Sequence, residues 1–179
     1  MNEDFRLLGL RRLAQGKNIE LCRHHFLGPK GEGLRRELVH HPGSVVVVPM
    51  LDGEVLMLRQ YRTAAGAWLW ELPAGKCDHP GEPPEETARR ECAEETGYLP
   101  GSLRLVNQFF NSPGFCDEST RIYIGEELQV VGRQPQGAEE QTAQVHRMAI
   151  ADLRRLLDKG EIADAKTLIG LAAVMGGGT

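Results

Sequence analysis

The chain has 179 residues, a formal net charge of −4 and a hydrophobic content of 41%. This length predicts one domain with a small terminal extension, and the hydrophobic content excludes a disordered chain. The charge balance argues against a nucleic-acid partner. The longest apolar run, Val45–Leu51, is too short to cross a bilayer, and the cysteines show no CxxC spacing. We therefore expect a cytoplasmic protein with reduced thiols and no membrane partner.

Much of the chain favours extended structure. Strand-favouring stretches occur at residues 19–26, 33–41, 45–48, 55–58, 69–72, 103–110, 121–125 and 144–148. The first two flank a Gly-Pro turn at residues 28–31, which predicts a hairpin. Val45–Val48 is β-branched throughout, as is typical of a buried strand. Asp52-Gly53 separates two apolar runs and predicts a second, tight hairpin, because both turn positions need a positive φ.

Three helices are predicted from their start and stop signals. Pro83-Pro84 precedes an unbroken stretch over residues 85–96, and Gly97 follows it as a C-terminal cap. Two later helices are expected over residues 152–158 and 164–175, each with an aspartate as its N-terminal cap. Strands followed by one central and two late helices predict a mixed, α+β class of fold.

The central helix concentrates negative charge on one face. Glu91 and Glu95 lie four residues apart and share that face, which Glu94 borders. Arg90 stands one turn before Glu94, whereas Glu91 and Glu95 have no lysine or arginine one turn further on. A divalent cation would neutralise this face, since magnesium and manganese prefer carboxylate oxygens. An ordinary solvated, glutamate-rich helix is the alternative explanation.

The residues around this face form a spaced pattern. Gly75 precedes Glu82, and Arg90-Glu91-Cys92-Ala93-Glu94-Glu95-Thr96-Gly97-Tyr98 follows. The pattern resembles the signature of the Nudix hydrolase family, with a cysteine at its aliphatic position. Six residues separate Gly75 from Glu82, one more than in the family pattern. The resemblance implies an α/β/α Nudix sandwich, in which a mixed β-sheet carries a loop–helix–loop motif and an N-terminal β-hairpin is added.

The resemblance also implies roles for individual positions. Magnesium, or else manganese, is expected to be held by Glu91, Glu95, Glu94 and the carbonyl of Ala74, and the three glutamates are candidate catalytic residues. The positions implied to support the site are Gly75, Glu82, Arg90, Gly97 and Pro113. A general base is expected from the mobile acidic loop before residues 144–148, where Glu139 and Glu140 are the candidates. A solvated loop without a catalytic role is the alternative there.

Two further segments resemble the ADP-ribose pyrophosphatase branch of that family. Asn111–Glu118 reads Asn-Ser-Pro-Gly-Phe-Cys-Asp-Glu, with its proline sixteen residues after Gly97. Leu58–Arg62 resembles a strand end whose arginine meets a substrate phosphate; Arg62 is the best match, with Arg59 behind it, and a guanidinium fork suits phosphate. The other implied substrate-binding residues are Arg35, Glu37, Glu71, Glu118 and Phe26, with Trp68 or Trp70 as candidates for base stacking.

The implied function is metal-dependent hydrolysis of the pyrophosphate bond of ADP-ribose or a related nucleoside diphosphate sugar, giving AMP and ribose 5-phosphate. Two alternatives remain open: a pyrophosphatase for GDP-mannose or another such sugar, and a non-catalytic nucleotide sensor, against which the intact glutamates argue. The resemblance implies a homodimer with exchanged N-terminal strands. Residues 1–42 would form the dimerising and substrate-sharing extension, 43–175 the hydrolase domain and 176–179 a disordered tail.

Overall fold

A computed structural model describes residues 4–176 of the chain. Its strands are β1 (Arg6–Gln15), β2 (Glu20–Leu27), β3 (Gly33–His40), β4 (Ser44–Leu51), β5 (Glu54–Arg62), β6 (Ala67–Glu71), β7 (Ala74–Lys76), β8 (Tyr98–Leu99), β9 (Ser102–Phe110), β10 (Ser119–Glu126), β11 (Gln129–Val130) and β12 (Gln144–Ala149). Its helices are α1 (Pro84–Thr96), α2 (Ala138–Thr142), α3 (Ile150–Asp158) and α4 (Ala165–Met175). Apart from Gly176, the predicted tail lies outside the described residues.

Contacts within the chain group it into two compact units. The first contains the described residues up to Gly43 together with Phe109–Ser119. The second contains Ser44–Gln108 together with the described residues from Thr120 onward. The domain roles inferred from the sequence stay predictions.

The described part of the first unit contains a three-stranded antiparallel sheet in the order β1-β2-β3. The predicted hairpin is confirmed, because β2 and β3 pair without a register shift between Glu20↔His40 and Leu27↔Gly33. No sequence pattern predicted β1. Register shifts at Leu7/Gly9 and at Arg12/Ala14 interrupt its pairing with β2. Such bulges disturb the two-residue alternation by which a strand is recognised.

A mixed sheet forms the centre of the second unit. Strand β4 lies parallel to β10 and antiparallel to β5 and β7. Strands β6 and β12 both pair with β5, and β9 lies beside β10. The tight turn between β4 and β5 is confirmed, since Asp52 has a φ of 52° and Gly53 a φ of 82°. Both values are left-handed, as this kind of turn requires.

Helix α1 packs on one face of this sheet. Val45 and Val47 of β4 form a buried cluster with Ala88 and Cys92 of the helix and with Tyr123 of β10. Alternate residues of a strand point to opposite faces, so a strand that is covered on both sides reads as a continuous apolar run. This explains why all four valines from residue 45 to residue 48 are buried.

Helix α4 packs on the other face. A Cβ added to Gly170 of α4 would meet Leu72, Val48 and Ile122, so the helix backbone lies directly against these side chains. The Thr167 hydroxyl of the same helix accepts a hydrogen bond from the Leu72 N–H at 2.9 Å. The sheet is therefore sandwiched between α1 and α4, and the predicted class of fold is confirmed.

Two of the predicted helix caps are confirmed and one is wrong. Helix α1 begins at Pro84 and ends at Thr96, and Gly97 caps it as predicted with a left-handed φ of 84°. Asp164 caps α4 as predicted, since its side chain accepts from the Thr167 N–H. The cap predicted at Asp152 is wrong: α3 begins at Ile150, directly after β12, and Asp152 lies inside its first turn. No helix within residues 4–176 is long and apolar enough to cross a membrane.

Candidate active site

The short strand β7 brings backbone atoms against helix α1. The Ala74 N–H donates a hydrogen bond to Glu95 Oε2 at 2.9 Å. A Cβ at the next residue, Gly75, would overlap the side chain of Glu91. Only glycine permits such an approach without displacing that side chain. Gly75, predicted to support the site, thus has a steric reason to be glycine.

Glu95 is the most buried acid on α1, with 5% of its surface exposed. Burial raises the pKa of Glu95 to about 8, against the opposing hydrogen bond from the Ala74 amide. The negative charges of Glu91 and Glu140 raise the pKa of Glu95 further, and Arg62 offsets only part of this effect. Burial likewise raises the pKa of Glu91. The site therefore gathers acids whose charges are poorly compensated.

Arg90 changes the charge balance that we inferred from the sequence. It donates to both oxygens of Glu82, at 3.1 and 3.0 Å, and to Glu91 Oε1 at 2.8 Å. Its distance to Glu94 Oε2 is 3.6 Å. Glu91 thus has a cationic partner although none stands one turn further along the helix, because the side chain of the residue directly before it folds back onto it. Arg90 orients two acids of the cluster, as its predicted supporting role requires.

Glu82 reaches Arg90 across the loop that carries the additional residue. The Glu82 N–H donates to the His79 carbonyl at 3.1 Å, and Gly81 between them has a φ of 82°. Glu82 also accepts from the Thr87 hydroxyl at 2.8 Å. Chiefly through Arg90, these bonds hold the pKa of Glu82 at about 2. The longer loop thus preserves the ion pair between Glu82 and the helix.

The acids of α1 fit a hard divalent cation by their chemistry, although they do not form a ready-made cluster. No three His, Cys, Asp or Glu side chains among residues 4–176 are arranged as a metal-binding group. Glu91 contacts Arg90 instead, and Glu95 accepts the Ala74 amide. A cation held by Glu91 and Glu95 would relieve the charge that raises their pKa values. Glu91 would then exchange its contact with Arg90.

Arg62 extends the site from the end of β5. Its Nε and Nη2 donate to the two oxygens of Glu71, at 2.8 and 2.6 Å. Glu71 is 1% exposed and also accepts from Gln60. The oxygens of Glu71 are thus buried and engaged in this structure, and direct substrate binding by Glu71 stays a prediction. Glu71 orients the Arg62 side chain, 38% of which remains exposed, and raises the pKa of that guanidinium.

Arg59 belongs to the opposite face of the sheet. It lies over the ring of Trp70 at 5.1 Å, and Trp70 packs edge-on against His146. Arg59 pairs with Trp70, whereas Arg62 pairs with Ala67 on the other face. Arg59 and Arg62 therefore lie on opposite faces of β5, and substrate binding by Arg59 stays a prediction. Trp70 already stacks with a guanidinium, which leaves Trp68 as the more exposed of the two base-stacking candidates.

Glu139 and Glu140 lie on a short helix, α2, where the sequence was interpreted as a loop. Glu140 adds negative potential at both Glu91 and Glu95. Its Oε2 accepts from the Gln136 N–H at 2.5 Å, which closes the turn before the helix. Of the two candidate bases, Glu140 is the one whose negative charge acts on the acids of α1.

The remaining predicted substrate residues lie in the first unit. Glu37 binds Arg23 at 2.6 Å. Phe26 packs against His24 with ring centroids 5.7 Å apart. Strand pairing places Phe26 on the face of this sheet opposite Arg35 and Glu37. Contact of these residues with a nucleotide stays a prediction.

The loop containing Pro113 and Glu118 is held by a contact that the sequence did not reveal. Asp117 accepts from the His41 N–H at 2.8 Å and lies 2.5 Å from His40 Nδ1. Backbone hydrogen bonds also join Val39 to this loop. A second unpredicted residue, Arg133, donates to backbone carbonyls of both α1 and α2. Asp117 belongs to the Asn111–Glu118 motif, but its contacts with His40 and His41 join distant parts of the sequence. Arg133 belongs to no local sequence pattern, so no signal marked it.

Three comparisons place these features among known proteins. A family model described as the NUDIX domain matches residues 40–170. The ADP-ribose pyrophosphatase of Bacillus subtilis is 37% identical over 157 residues, covering 87% of this chain and 84% of its own. That of Mycobacterium tuberculosis is 38% identical over 172 residues, covering 96% and 83%. The crystal structure of an ADP compounds hydrolase has the same fold, with a TM-score of 0.80, 20% identity and coverage of 96% and 92%.

Gly75→Ala tests the close approach of β7 to α1. The added methyl group displaces Glu91, so we expect manganese affinity to fall on the order of tenfold, as is typical when the support of a ligand is lost. Titration calorimetry with manganese measures this. Gly33→Ala is the control, since a Cβ there meets nothing within 4 Å. Equal manganese affinity in the two variants would contradict the steric role of Gly75.

The raised pKa of Glu95 predicts how metal-free stability depends on pH. Its pKa rises from 4.5 to about 8 on folding. The stability from this group is therefore complete below pH 4.5 and is lost as the pH rises through 8. In the presence of a chelator, Glu95→Gln should show a smaller fall in melting temperature between pH 5 and 8.5 than the parent protein. Glu139→Gln is the control, and parallel curves for the parent and Glu95→Gln would refute the assignment.

Proposed function

The chain belongs to the Nudix family, and we propose that it hydrolyses the pyrophosphate bond of ADP-ribose, giving AMP and ribose 5-phosphate. One observation carries this choice: two ADP-ribose pyrophosphatases are 37% and 38% identical to the chain over most of its length. The acids of α1 and Arg62 supply the chemistry that such a reaction needs. The substrate is thus a nucleoside diphosphate sugar, and the products are two phosphate monoesters.

Magnesium is the proposed cofactor, with manganese as a substitute, held by Glu91, Glu95 and Glu94 together with the Ala74 carbonyl. When bound, it neutralises pyrophosphate oxygens and lowers the pKa of water. Gly75 permits the helix and strand to approach, and Glu82 holds Arg90 against the helix. The raised pKa values of Glu91 and Glu95 support this choice, because carboxylates crowded without a cation favour binding one.

Arg62 is proposed to bind the pyrophosphate. Glu71 takes two donors of its guanidinium and leaves part of the side chain exposed. A guanidinium held in this way has lost its rotational freedom before the substrate arrives, which reduces the entropy lost on binding. Phosphoryl transfer depends mainly on position and electrostatic stabilisation, so a fixed positive charge beside the acids suits the reaction.

Glu140 is the proposed general base. It takes the proton of the attacking water. The effect of its negative charge on the pKa of Glu91 and of Glu95 supports this role. Glu139 shares the same short helix but contributes no comparable potential at those acids. A base must stand within hydrogen-bond reach of the proton, directly or through one water. Helix α2 would deliver Glu140 to that position.

The two ends of the substrate would be recognised outside the acidic cluster. We propose that Glu118, in the loop tied down by Asp117, binds a hydroxyl of the terminal ribose. Arg35 and Glu37 are proposed to bind the nucleotide from one face of the N-terminal sheet, with Trp68 as a candidate for stacking on the base. A cytoplasmic location completes the proposal.

A homodimer is proposed from the exposure of the N-terminal sheet. Strand β1 forms one edge of that sheet and has ten residues. Its leucines are largely exposed, including Leu8 at 56% and Leu10 at 57%. Long apolar edge strands rarely stay uncovered, because they pair with other chains. A second copy of the chain is the proposed cover, as the family resemblance implies.

A substrate panel tests the activity. ADP-ribose, ADP-glucose and GDP-mannose are incubated with the protein and magnesium, and the released monophosphate is measured. We expect the highest kcat/KM for ADP-ribose. Glu95→Gln should lower kcat on the order of 10²–10³-fold, the range for loss of one charge-stabilising group. Circular dichroism serves as the folding control. Binding of ADP-ribose without turnover of any substrate would instead establish a nucleotide sensor.

Leu10→Glu tests the homodimer. A buried glutamate would cost several kcal/mol at an interface, so we expect a shift from dimer to monomer. Light scattering after size-exclusion chromatography gives the mass. Leu105→Glu, on an exposed position of β9, is the matched control and should leave the mass unchanged. A monomeric parent protein, or a dimeric Leu10→Glu variant, would exclude a dimer formed through β1.

A further inference from the structure

Arg133 joins the ends of two helices in the second unit. Its Nε donates to the Glu95 carbonyl at 2.6 Å, and its Nη2 donates to the Glu140 carbonyl at 3.0 Å. Its Nη1 donates to the Ala143 carbonyl at 3.1 Å. One side chain therefore binds the backbone of the two residues proposed as metal ligand and general base.

The C-terminal end of α1 is stabilised by a cation such as Arg133. The last carbonyls of a helix lack partners within the helix and carry the negative end of its dipole. Helix α1 has no basic residue in its last turn. The segment containing Arg133 closes over that end, because the Gln134 N–H donates to the Glu94 carbonyl and the Val131 N–H to the Gly97 carbonyl. Arg133 thus belongs to the cap of α1.

Helix α2 is too short to be stable without contacts to other parts of the protein. It has five residues, none of them buried, and Gly137 at its start makes no side-chain cap. Isolated helices of this length are unstable, because the first turn costs more conformational entropy than its bonds return. The two bonds from Arg133 to Glu140 and Ala143 fix its C-terminal end to the segment that caps α1. Helix α2 also packs against β5, and this guanidinium is the side chain that joins it to the end of α1.

We propose that Arg133 is a positioning residue that holds α2 against the end of α1 and so keeps the Glu140 carboxylate beside Glu91 and Glu95. This inference rests on the proposed function, in which Glu140 is the general base. Arg133 itself acts through the backbone. Three donors on one planar group reach three carbonyls together, which the single ammonium of a lysine does not reproduce.

Arg133→Met, which keeps much of the aliphatic stem, is compared with Arg155→Met, which removes an exposed arginine from α3. With ADP-ribose and magnesium, we expect Arg133→Met to lower kcat ten- to a hundredfold, because small misplacements of a reacting group cost about that much. KM should stay within about twofold, and Arg133→Lys should recover part of kcat. An unchanged kcat, or a change in KM alone, would overturn the proposal.

A double-mutant cycle with Glu140→Gln separates positioning from general loss of structure. If Arg133 acts through Glu140, the variant carrying both substitutions should be no slower than Glu140→Gln alone. Losses that multiply would show that Arg133 acts elsewhere and would refute the proposal. Full activity of Glu140→Gln would refute it as well.

Hydrogen exchange gives a measurement independent of activity. The peptide containing residues 137–143 should exchange on the order of tenfold faster in Arg133→Met than in the parent, and Arg155→Met should match the parent. Unchanged exchange in Arg133→Met would overturn the anchoring of α2. If the parent protein hydrolysed no nucleotide sugar, the proposed function would fail, while exchange would still decide whether Arg133 holds this helix.

Discussion

The contact between β7 and α1 is the constraint on which the candidate site depends. Glycine at position 75 lets a strand backbone lie directly against the Glu91 side chain, and the neighbouring Ala74 amide donates to Glu95. Strand β7 pairs with β4, and helix α1 packs on the buried valines of β4. The packing of these valines therefore determines where the acids lie. A site built on rigid elements in this way keeps its geometry without depending on loop conformation.

Three arginines bind groups around the negative charge that this packing concentrates on α1. Arg90 pairs with acids along the side of α1, and Arg62 stands at the end of β5. Arg133 binds the Glu95 carbonyl at the C-terminal end of α1. None of these arginines donates a hydrogen bond to the carboxylate of Glu95 among the contacts described, and its pKa remains at about 8. The metal-free protein thus retains an electrostatic cost at the position where a cation would be useful. Functional sites commonly retain such strain.

Local signals explain which parts of the fold could be predicted from the sequence. The Asp52-Gly53 turn, the capping Gly97 and the cap at Asp164 each depend on the backbone preferences of one or two residues, and all three were predicted correctly. Strand β1 was missed because its bulges break the alternation. Helix α2 was missed because it has five residues and no side-chain cap, and because its partner Arg133 is not revealed by neighbouring sequence. Long-range contacts of single side chains are invisible to periodicity.

The placement of Arg59 is of a different kind, because the relevant rule was available from the sequence. Residues three apart on a strand point to opposite faces, so Arg59 and Arg62 extend from opposite faces of β5. The same rule separates Phe26 from Arg35 once β2 and β3 are in register. Resemblance to a family assigns a role to each position separately. The two-residue period of a strand decides which of those residues can lie on the same face of the sheet.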